Sequence, residues 1–326
     1  MGSLRAGSVA SRCVATLTAL AGGVGAARML AGLAAVMAPE DICAVVNTGD
    51  DIVLHGLHVS PDVDTVVYTL AGAVDPDRGW GLAGETWAAM EALDRYGGQT
   101  WFRLGDRDLA THLYRAQRLA EQATLSQVTA EIARAWGLCA RVLPMSDDRV
   151  ETRITLAGPA PGTSEEVGFQ DWFVGLRHSV TVQAVRFEGA EEARAAPGVL
   201  EAIAGADRLV VCPSNPLVSI GPILAVPGVR DALVARRADA VAVSPLVAGA
   251  ALKGPADQLL ADLGHERSVV GVARLYAPLV ATLVVDEADA ALAQAVEAEG
   301  VRCVVAPAVM HGPDEAAALA RVVLTA

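Results

Sequence analysis

Residues 14–37, with the sequence VATLTALAGGVGAARMLAGLAAVM, decide the fold because they contain a strand, a helix and the turn that joins them. Residues 14–20 form an apolar run of strand length, and residues 26–37 repeat their apolar side chains with helical spacing. Glycines interrupt the apolar run at positions 22, 23 and 25, and Arg28 follows them. The stretch therefore predicts a strand, a glycine turn and a helix rather than a signal peptide.

Short apolar runs continue to alternate with helical patterns along the rest of the chain. The predicted strands cover residues 14–20, 42–46, 140–143, 208–212, 240–243, 281–285 and 302–305. The predicted helices cover residues 26–37, 86–96, 126–136, 197–204, 256–263, 288–299 and 314–324. This alternation indicates an α/β fold, in which a doubly wound, mostly parallel sheet is covered by helices.

The middle of the chain departs from the alternation. Residues 151–156 and 179–187 have an extended pattern, and a turn rich in glycine and proline lies between them. We therefore expect an inserted helical and antiparallel subdomain over about residues 100–190. Residues 1–12 are expected to be a disordered leader, and residues 13–326 a single domain.

Charge and residue usage exclude several classes of function. The formal net charge is −13, which disfavours nucleic acids and anionic membranes as partners because both attract basic surfaces. The five cysteines are scattered without a C-x-x-C motif, and no uninterrupted apolar run is long enough to span a membrane. We therefore expect a cytoplasmic protein with reduced thiols. The role of Lys253, the only lysine, stays open.

The strongest functional signal is VVNTGDDIVLHGLHVSPDVDTVVY at residues 45–68. Four acids flank one apolar loop in this stretch: Asp50, Asp51, Asp62 and Asp64. Helix capping would explain one of the last two acids, but it does not explain acids on both sides of the loop. Carboxylates are the ligands that Mg²⁺ prefers, so we predict a magnesium site. His55 and His58 suit structural or substrate contacts better than zinc, because no cysteine partners accompany them.

Several motifs follow predicted strands, and the carboxyl ends of parallel strands are where doubly wound sheets bind ligands. The glycine turn either cradles a phosphate or only permits a tight turn, and Arg28 either pairs with phosphate or lies on the surface. After the strand that starts at Arg208, Ser214, Asn215 and Ser219 suit a base edge and a phosphate, or a local turn.

Two further segments, WGLAGETW at 80–87 and LGDRDLATH at 104–112, are rich in functional atoms. Trp80 lies among glycines and charges, which suits stacking on a planar ring, although core packing is the alternative. Arg107 and His112 suit contacts to a phosphate or a hydroxyl. The absence of G-x-S-x-G and of a reactive-cysteine context makes covalent catalysis a poor first hypothesis.

Taken together, ten ordered motifs make the chain resemble the 2-phospho-L-lactate transferase family of coenzyme F420 biosynthesis, including its actinobacterial phosphoenolpyruvyl transferases. The motifs are GGVGAARML (22–30), NTGDD (47–51), HGLHVSPDVDTVVYTLAG (55–72), DPDRGWG (75–81), ETW (85–87), WFRLGDRDLATHL (101–113), PMSDDRVET (144–152), FQDWFV (169–174), PSNPLVSIGPIL (213–224) and SPLVAGAALKGPAD (244–257). The resemblance implies a Rossmann-like core with an inserted subdomain, dependence on Mg²⁺ and a homodimer.

The family reaction joins a guanosine diphosphate ester of lactate or enolpyruvate to the deazaflavin Fo. The terminal ribityl hydroxyl of Fo attacks the phosphorus that bears the three-carbon group, and GMP leaves. The resemblance therefore implies a transferase of substituted phosphate groups, and it leaves the identity of the three-carbon acid open.

The resemblance also implies roles for individual residues. Mg²⁺ would lie on Asp50, Asp51, Asp62 and Asp64, with Asp50 or Asp64 as the catalytic proton acceptor. The diphosphate and nucleotide would contact Gly22, Gly23, Gly25, Arg28, Ser214, Asn215 and Ser219. The deazaflavin would contact His55, Trp80, Glu85, Arg107 and His112.

Two other classes of protein are alternatives, and the first of them shares the glycine turn. A non-catalytic regulator that binds a UDP-sugar is the nearest alternative, but it has no chemical need for the motifs at 80–87 and 104–113. A nicotinamide dehydrogenase would place an acid after the second strand to hold a ribose, and Asn47 and Thr48 stand there instead.

Overall fold

The structure, a computed structural model, describes residues 17–158, 160 and 162–326. The expected leader at 1–12 and the first residues of the predicted strand 14–20 lie outside the described residues. The strands are β1 (Leu17–Ala21), β2 (Ile42–Val46), β3 (Ile52–Leu54), β4 (Leu57–Val59), β5 (Arg141–Pro144), β6 (Glu151–Ala157), β7 (Ser164–Gly168), β8 (Val182–Glu188), β9 (Arg208–Val211), β10 (Ala240–Val243), β11 (Leu246–Val247), β12 (Ala250–Ala251), β13 (Thr282–Val285) and β14 (Arg302–Val305).

Helices connect several of these strands. They are α1 (Gly23–Val36), α2 (Pro61–Leu70), α3 (Ala88–Asp94), α4 (Asp108–Ala120), α5 (Leu125–Ala135), α6 (Val199–Gly205), α7 (Ile220–Ala225), α8 (Val229–Ala235), α9 (Ala256–Asp262), α10 (Val269–Tyr276), α11 (Ala293–Ala298) and α12 (Pro313–Thr325). Short 3-10 turns precede β2, β10 and α11. Within the described part of the chain, no helix combines the length and the apolar character needed to span a membrane.

A 7-stranded sheet in the order β14-β13-β10-β9-β1-β2-β5 forms the centre of the molecule, and every neighbouring pair in it is parallel. This arrangement confirms the predicted doubly wound α/β fold. The strand order changes direction between β1 and β9, because β2 lies on one side of β1 and β9 on the other. A crevice opens beyond the carboxyl ends of strands at such a switch point, and this crevice is where such folds bind ligands.

Both faces of the sheet are buried along β1, β2, β10 and β13, which explains why these strands are almost entirely apolar. Ala19 and Ala44 belong to one hydrophobic cluster, whereas their neighbours Leu20 and Val45 belong to the other. Alternate residues of a strand point to opposite faces, so one apolar run supplies both layers of the core.

A second, antiparallel sheet in the order β7-β6-β8 lies within the predicted subdomain. The predicted extended segments 151–156 and 179–187 correspond to β6 and β8, whereas β7 was not predicted because its SEEVG sequence is mostly exposed and lacks alternation. Residues 100–190 also contain β5, which is an edge strand of the main sheet. The extent of the inserted subdomain therefore stays a prediction.

Helix boundaries shift by a few residues from the predicted ones. Helix α1 begins at Gly23, three residues before the predicted start at position 26. Its first N–H is satisfied from another part of the chain, since Gly23 N donates to Asp62 Oδ1 at 2.9 Å. A tertiary contact of this kind has no local signal in the sequence.

Candidate active site

A cleft of about 580 Å³ opens at the switch point, beyond the carboxyl ends of the central strands. The glycine turn after β1 and the loop after β9 both line it. The predicted site residues that line the cleft are Gly22, Gly23, Gly25, Arg28, Asp50, Asp62, Asp64, Trp80, His112, Ser214, Asn215 and Ser219. Four other predicted residues, Asp51, His55, Glu85 and Arg107, are outside its lining.

The loops after β1 and β9 meet in a seam formed by Ser214 and the backbone of Gly22. Gly22 N donates to Ser214 Oγ at 3.2 Å, and Ser214 Oγ donates to Gly22 O at 2.9 Å. A Cβ on Gly25 would lie 2.5 Å from the Pro213 carbonyl oxygen, so the turn needs glycine there to approach the other loop. This seam fixes the floor of the cleft.

The side-chain amide of Asn215 has one polar atom that forms a local hydrogen bond and one that has no partner among the described residues. Its Oδ1 accepts a hydrogen bond from Leu217 N at 2.9 Å, which forms the local turn expected as one alternative. Its Nδ2 is buried and has no hydrogen-bond partner among the described residues. Buried amide donors normally find a partner, so this NH₂ group is available to a ligand in the cleft.

Asn47 joins two of the predicted acids, a role that no sequence pattern indicates. It is fully buried after β2, and its Nδ2 donates to Asp50 Oδ1 and to Asp62 Oδ2, both at 3.0 Å. The second oxygen of Asp62 accepts from Gly23 N, so one carboxylate connects the helix start to the acids. Asn47 Oδ1 accepts from Gly49 N at 2.8 Å, which fixes the orientation of the amide.

The two acids that share Asn47 lie in a strongly desolvated position. Burial, and then the neighbouring charge of Asp62, raise the pKa of Asp50 well above its usual value. Burial likewise raises the pKa of Asp62, to about 6. Among the residues that the structure describes, no Arg, Lys or His nitrogen lies within 4.0 Å of either carboxylate. A hard divalent cation is the group that this pair of oxygen donors fits.

Asp64 has a different environment, because it forms a buried ion pair with Arg115. Arg115 is wholly inaccessible to solvent, and its guanidinium contacts both carboxylate oxygens of Asp64, with Nη1 to Oδ2 at 3.0 Å. Arg115 Nη1 also lies 3.3 Å from the His58 carbonyl oxygen. A buried, bidentate ion pair of this kind holds the acid in one orientation.

Asp64, Asp108 and His112 form a compact group whose potential ligand atoms lie within 4.8 Å of one another. The Arg115 guanidinium belongs to the same group, since Nη1 lies 3.3 Å from His112 Nδ1. A dication placed there would meet this fixed positive charge at close range, so the group is better described as a charge network. Burial alone would raise the pKa of Asp108, but His112, Tyr68 and Arg115 hold that pKa below its usual value.

Asp51 lies outside the lining of the cleft. Its Oδ2 accepts a hydrogen bond from Ser60 Oγ at 2.7 Å and lies 2.9 Å from His58 Nε2. These contacts connect it to the hairpin of β3 and β4, whose exposed turn contains His55 at a positive φ of 54°. The predicted roles of Asp51 in metal binding and of His55 in deazaflavin binding stay predictions.

Glu85 and Arg107 have structural contacts. The Glu85 carboxylate accepts from Arg107 N and Asp108 N, both at 2.8 Å, and so satisfies the first N–H groups of α4. Arg107 Nη1 donates to the Ala83 carbonyl oxygen at 2.6 Å. Their predicted contacts to the deazaflavin also stay predictions.

Basic and aromatic side chains form another part of the cleft lining: Arg28, Arg78, Trp80, Phe102, Arg103, Phe169, Phe173 and Lys253. The Arg78 guanidinium lies 5.2 Å from the Trp80 ring centroid and 5.1 Å from that of Trp87. Arg103 covers Trp87 at 4.2 Å. Cations on aromatic faces stabilise this arrangement and present the half-exposed Trp80 to the cleft. The cleft thus contains both acidic and basic groups.

Comparison with known proteins gives one consistent family. The model of the 2-phospho-L-lactate transferase CofD family matches residues 17–314. A phosphoenolpyruvate transferase of Kitasatospora aureofaciens is 48% identical over 311 residues, covering 94% of this chain and 96% of the relative. One of Mycolicibacterium smegmatis is 42% identical over 320 residues, with the same coverage of 94% and 96%.

A crystal structure of a Bacillus halodurans protein has the same fold, with a TM-score of 0.61 at 18% identity, over 95% of this chain and 99% of that one. The ordered motifs, the switch-point cleft and these matches agree. The chain belongs to the 2-phospho-L-lactate transferase family.

Proposed function

We propose that this protein transfers a phosphoenolpyruvyl group from its guanosine diphosphate ester to the ribityl hydroxyl of Fo, in coenzyme F420 biosynthesis. Family membership supports a transferase role in that biosynthesis. Similarity to phosphoenolpyruvate transferases over nearly the whole chain favours the enolpyruvyl ester over the lactyl one. The reaction is proposed to take place in the cytoplasm.

The observation that carries the proposal is that one cleft contains both buried acids and cations that form no salt bridge with any described residue. A diphosphate ester needs positive charge around its oxygens, and an acceptor alcohol needs a nearby group that takes its proton. Asp50 and Asp62 together with Arg28 and Lys253 supply groups of both kinds around the same cleft. Transfer of this type depends mainly on positioning and charge neutralisation.

The donor would lie across the seam between the loops after β1 and β9. The unused Asn215 Nδ2 suits an acceptor atom of the guanosine, whereas the Ser214 hydroxyl is already engaged by Gly22 and acts mainly by holding the seam. Gly22 lets the turn after β1 pack closely against the loop after β9, because a Cβ there would lie 2.7 Å from Ser219 Cβ.

Asp50 and Asp62 would hold Mg²⁺, and Asp64 faces the same cleft in its fixed pair with Arg115. When bound, Mg²⁺ would neutralise the negative charge that the diphosphate brings to these acids. Trp80 would stack on the planar deazaflavin, whose ribityl chain then extends toward the acids.

Asp50 is the better candidate for proton acceptor. Both oxygens of Asp64 are engaged by Arg115, whereas the one hydrogen bond to the Asp50 carboxylate, among the described residues, goes to Oδ1. The Fo hydroxyl oxygen would form a bond to the phosphorus that bears the enolpyruvyl group, as its proton passes to Asp50 Oδ2. The anhydride bond from that phosphorus to the GMP oxygen breaks, and GMP leaves.

The test is to mix the purified protein with Fo, Mg²⁺ and either the enolpyruvyl or the lactyl guanylyl diphosphate ester, and to measure GMP by chromatography. We expect GMP release that requires both Fo and Mg²⁺ and is faster with the enolpyruvyl ester. Failure of both esters, together with tight binding of a UDP-sugar, would favour the non-catalytic regulator instead.

The same assay tests the site. Asp50→Asn should lower turnover by at least about a hundredfold, because it removes both a metal ligand and the proton acceptor. Asp94→Asn, an equal change of charge at an exposed position at the end of α3, should leave turnover unchanged. Full activity of Asp50→Asn would refute the assignment.

A further inference from the structure

Lys253 lies in the cleft close to a second cation. It follows β12, and its Nζ donates to the Arg78 carbonyl oxygen at 3.0 Å. A Cβ placed on Gly79 would be 3.0 Å from Lys253 Nζ and 3.8 Å from Arg28 Nη2, so the two nitrogens lie within about 7 Å of each other. Two positive charges are therefore held close together around the backbone of Gly79.

No acid in the described part of the chain forms a salt bridge with this pair. Within residues 17–158, 160 and 162–326, no carboxylate oxygen lies within 4.0 Å of a side-chain nitrogen of Arg28 or Lys253. The neighbouring Arg78, by contrast, pairs with Asp75 at 2.8 Å. Burial, and then the charge of Arg28, lower the pKa of Lys253. An anion bound between the two cations would relieve this repulsion.

The cationic pair is separated from the acids along α1. Gly23 contacts Asp62 at the start of the helix, and Arg28 follows five residues later, which corresponds to about 7.5 Å at the α-helical rise. Arg28 is held in place by a hydrogen bond to the Met310 carbonyl oxygen at 3.1 Å. The pair therefore offers a binding position separate from that of Asp50 and Asp62.

We propose that Lys253 and Arg28 form an anion subsite that binds an anionic oxygen group of the donor. Two groups of the donor have this chemistry: its diphosphate and the carboxylate of its three-carbon acid. The inference rests on the proposed function, because that function requires a donor with both groups. It gives Lys253 a binding role, and it pairs Lys253 with Arg28 across Gly79.

The experiment measures dissociation constants by titration calorimetry for GMP, GDP, pyrophosphate and the enolpyruvyl guanylyl diphosphate ester. Lys253→Gln should weaken binding of the full ester by about tenfold, since it removes one charge-assisted contact. Lys253→Arg keeps the charge and should restore most of the affinity. Arg194→Gln, which removes one positive charge from a side chain that is 90% exposed, should leave every constant within about twofold of wild type.

The four ligands distinguish the two anionic groups. If Lys253→Gln weakens GDP and pyrophosphate as much as the ester, with GMP unchanged, the subsite binds the diphosphate. If it weakens the ester alone, the subsite binds the carboxylate. Dissociation constants for the ester, GDP and pyrophosphate that all stay within about twofold of wild type would overturn the proposal, as would equal weakening by Arg194→Gln.

The outcome separates this proposal from the proposed function. If the wild-type protein binds pyrophosphate, Lys253→Gln weakens that binding, and no guanine nucleotide binds, the subsite is supported and the proposed guanylyl donor is refuted. If the protein releases GMP with Fo but Lys253→Gln leaves the dissociation constants unchanged, the proposed function stands and the subsite is overturned. Absence of binding by all four ligands would overturn the subsite.

Discussion

At the scale of single residues, Asp62 connects most parts of the site. One oxygen accepts from Gly23 N at the start of α1, and the other accepts from Asn47, which it shares with Asp50. Burial raises the pKa of Asp62 to about 6, so at neutral pH the folded protein contains an ionised carboxylate at a dry position. Such a group would favour a bound cation, and it lowers the stability of the protein where no cation offsets its charge.

Asp62→Asn should therefore change the pH dependence of stability. Because the pKa of Asp62 is higher in the folded than in the unfolded protein, the folded form binds the extra proton below pH about 6 and loses stability as the pH rises through that value. The free energy of unfolding of the variant, relative to wild type, should rise between pH 5 and pH 8 by on the order of 1 kcal/mol.

Denaturant unfolding with a chelator present measures this difference. Asp94→Asn at the exposed end of α3 is the control, and its difference from wild type should be constant over the same pH range. A constant difference for Asp62→Asn as well would contradict the raised pKa.

Sequence reasoning located the acids but missed the residues that hold them. Asp50, Asp62 and Asp64 were predicted from hard oxygen atoms around one loop, and all three line the cleft. Asn47 and Arg115 were missed because their partners lie far along the chain or are brought close only by folding. A signal for Arg115 does exist, since positions 108, 112 and 115 share one face of α4.

At the scale of elements, α1 is fixed at two points where only glycine fits. A Cβ on Gly25 would meet the Pro213 carbonyl oxygen in the seam, and a Cβ on Gly32 would meet the Ala316 carbonyl oxygen of α12. The two contacts are alike sterically, but only the first lies at the cleft. Substitutions at these two glycines therefore distinguish an effect on the stability of the helix from an effect on the geometry of the site.

Gly25→Ala and Gly32→Ala should each lower the free energy of unfolding by about 1–3 kcal/mol, because a backbone carbonyl cannot move aside as a side chain can. Only Gly25→Ala should also weaken GDP binding in calorimetry, by about tenfold or more, since it opens the seam. If Gly32→Ala weakens GDP binding equally, the loss reflects general destabilisation and the seam has no special role.

The strands of the main sheet and several helices were predicted well, whereas the short hairpins and other helices were not. The strands of the main sheet follow continuous apolar runs, and α1, α5 and α12 follow helical spacing, so local pattern sufficed. The hairpins β3–β4 and β11–β12 have strands of 3 and 2 residues, too short for any periodicity. The helices α2, α4, α7, α8 and α10 are also absent from the predicted helix ranges. Those hairpins nevertheless carry His55, His58 and the approach to Lys253.

At the scale of the whole molecule, the cleft is lined by acids, cations and aromatic residues of one chain. The resemblance predicts a homodimer, so sedimentation velocity should give twice the chain mass of 33.5 kDa. Because one chain supplies both kinds of charged group, turnover per chain should not change when the protein is diluted below the dimer dissociation constant. A single species of monomer mass at all concentrations would contradict the predicted dimer.

The Ser214 seam determines which parts of the cleft can be changed to alter the ligands that it binds. Its two hydrogen bonds to Gly22 form when the protein folds, so the base of the binding crevice is rigid before any ligand arrives. The loops that carry Trp80 and Lys253 are more exposed and tolerate replacement more readily. Laboratory retargeting toward other activated esters or acceptors should therefore randomise the rim and leave the seam untouched.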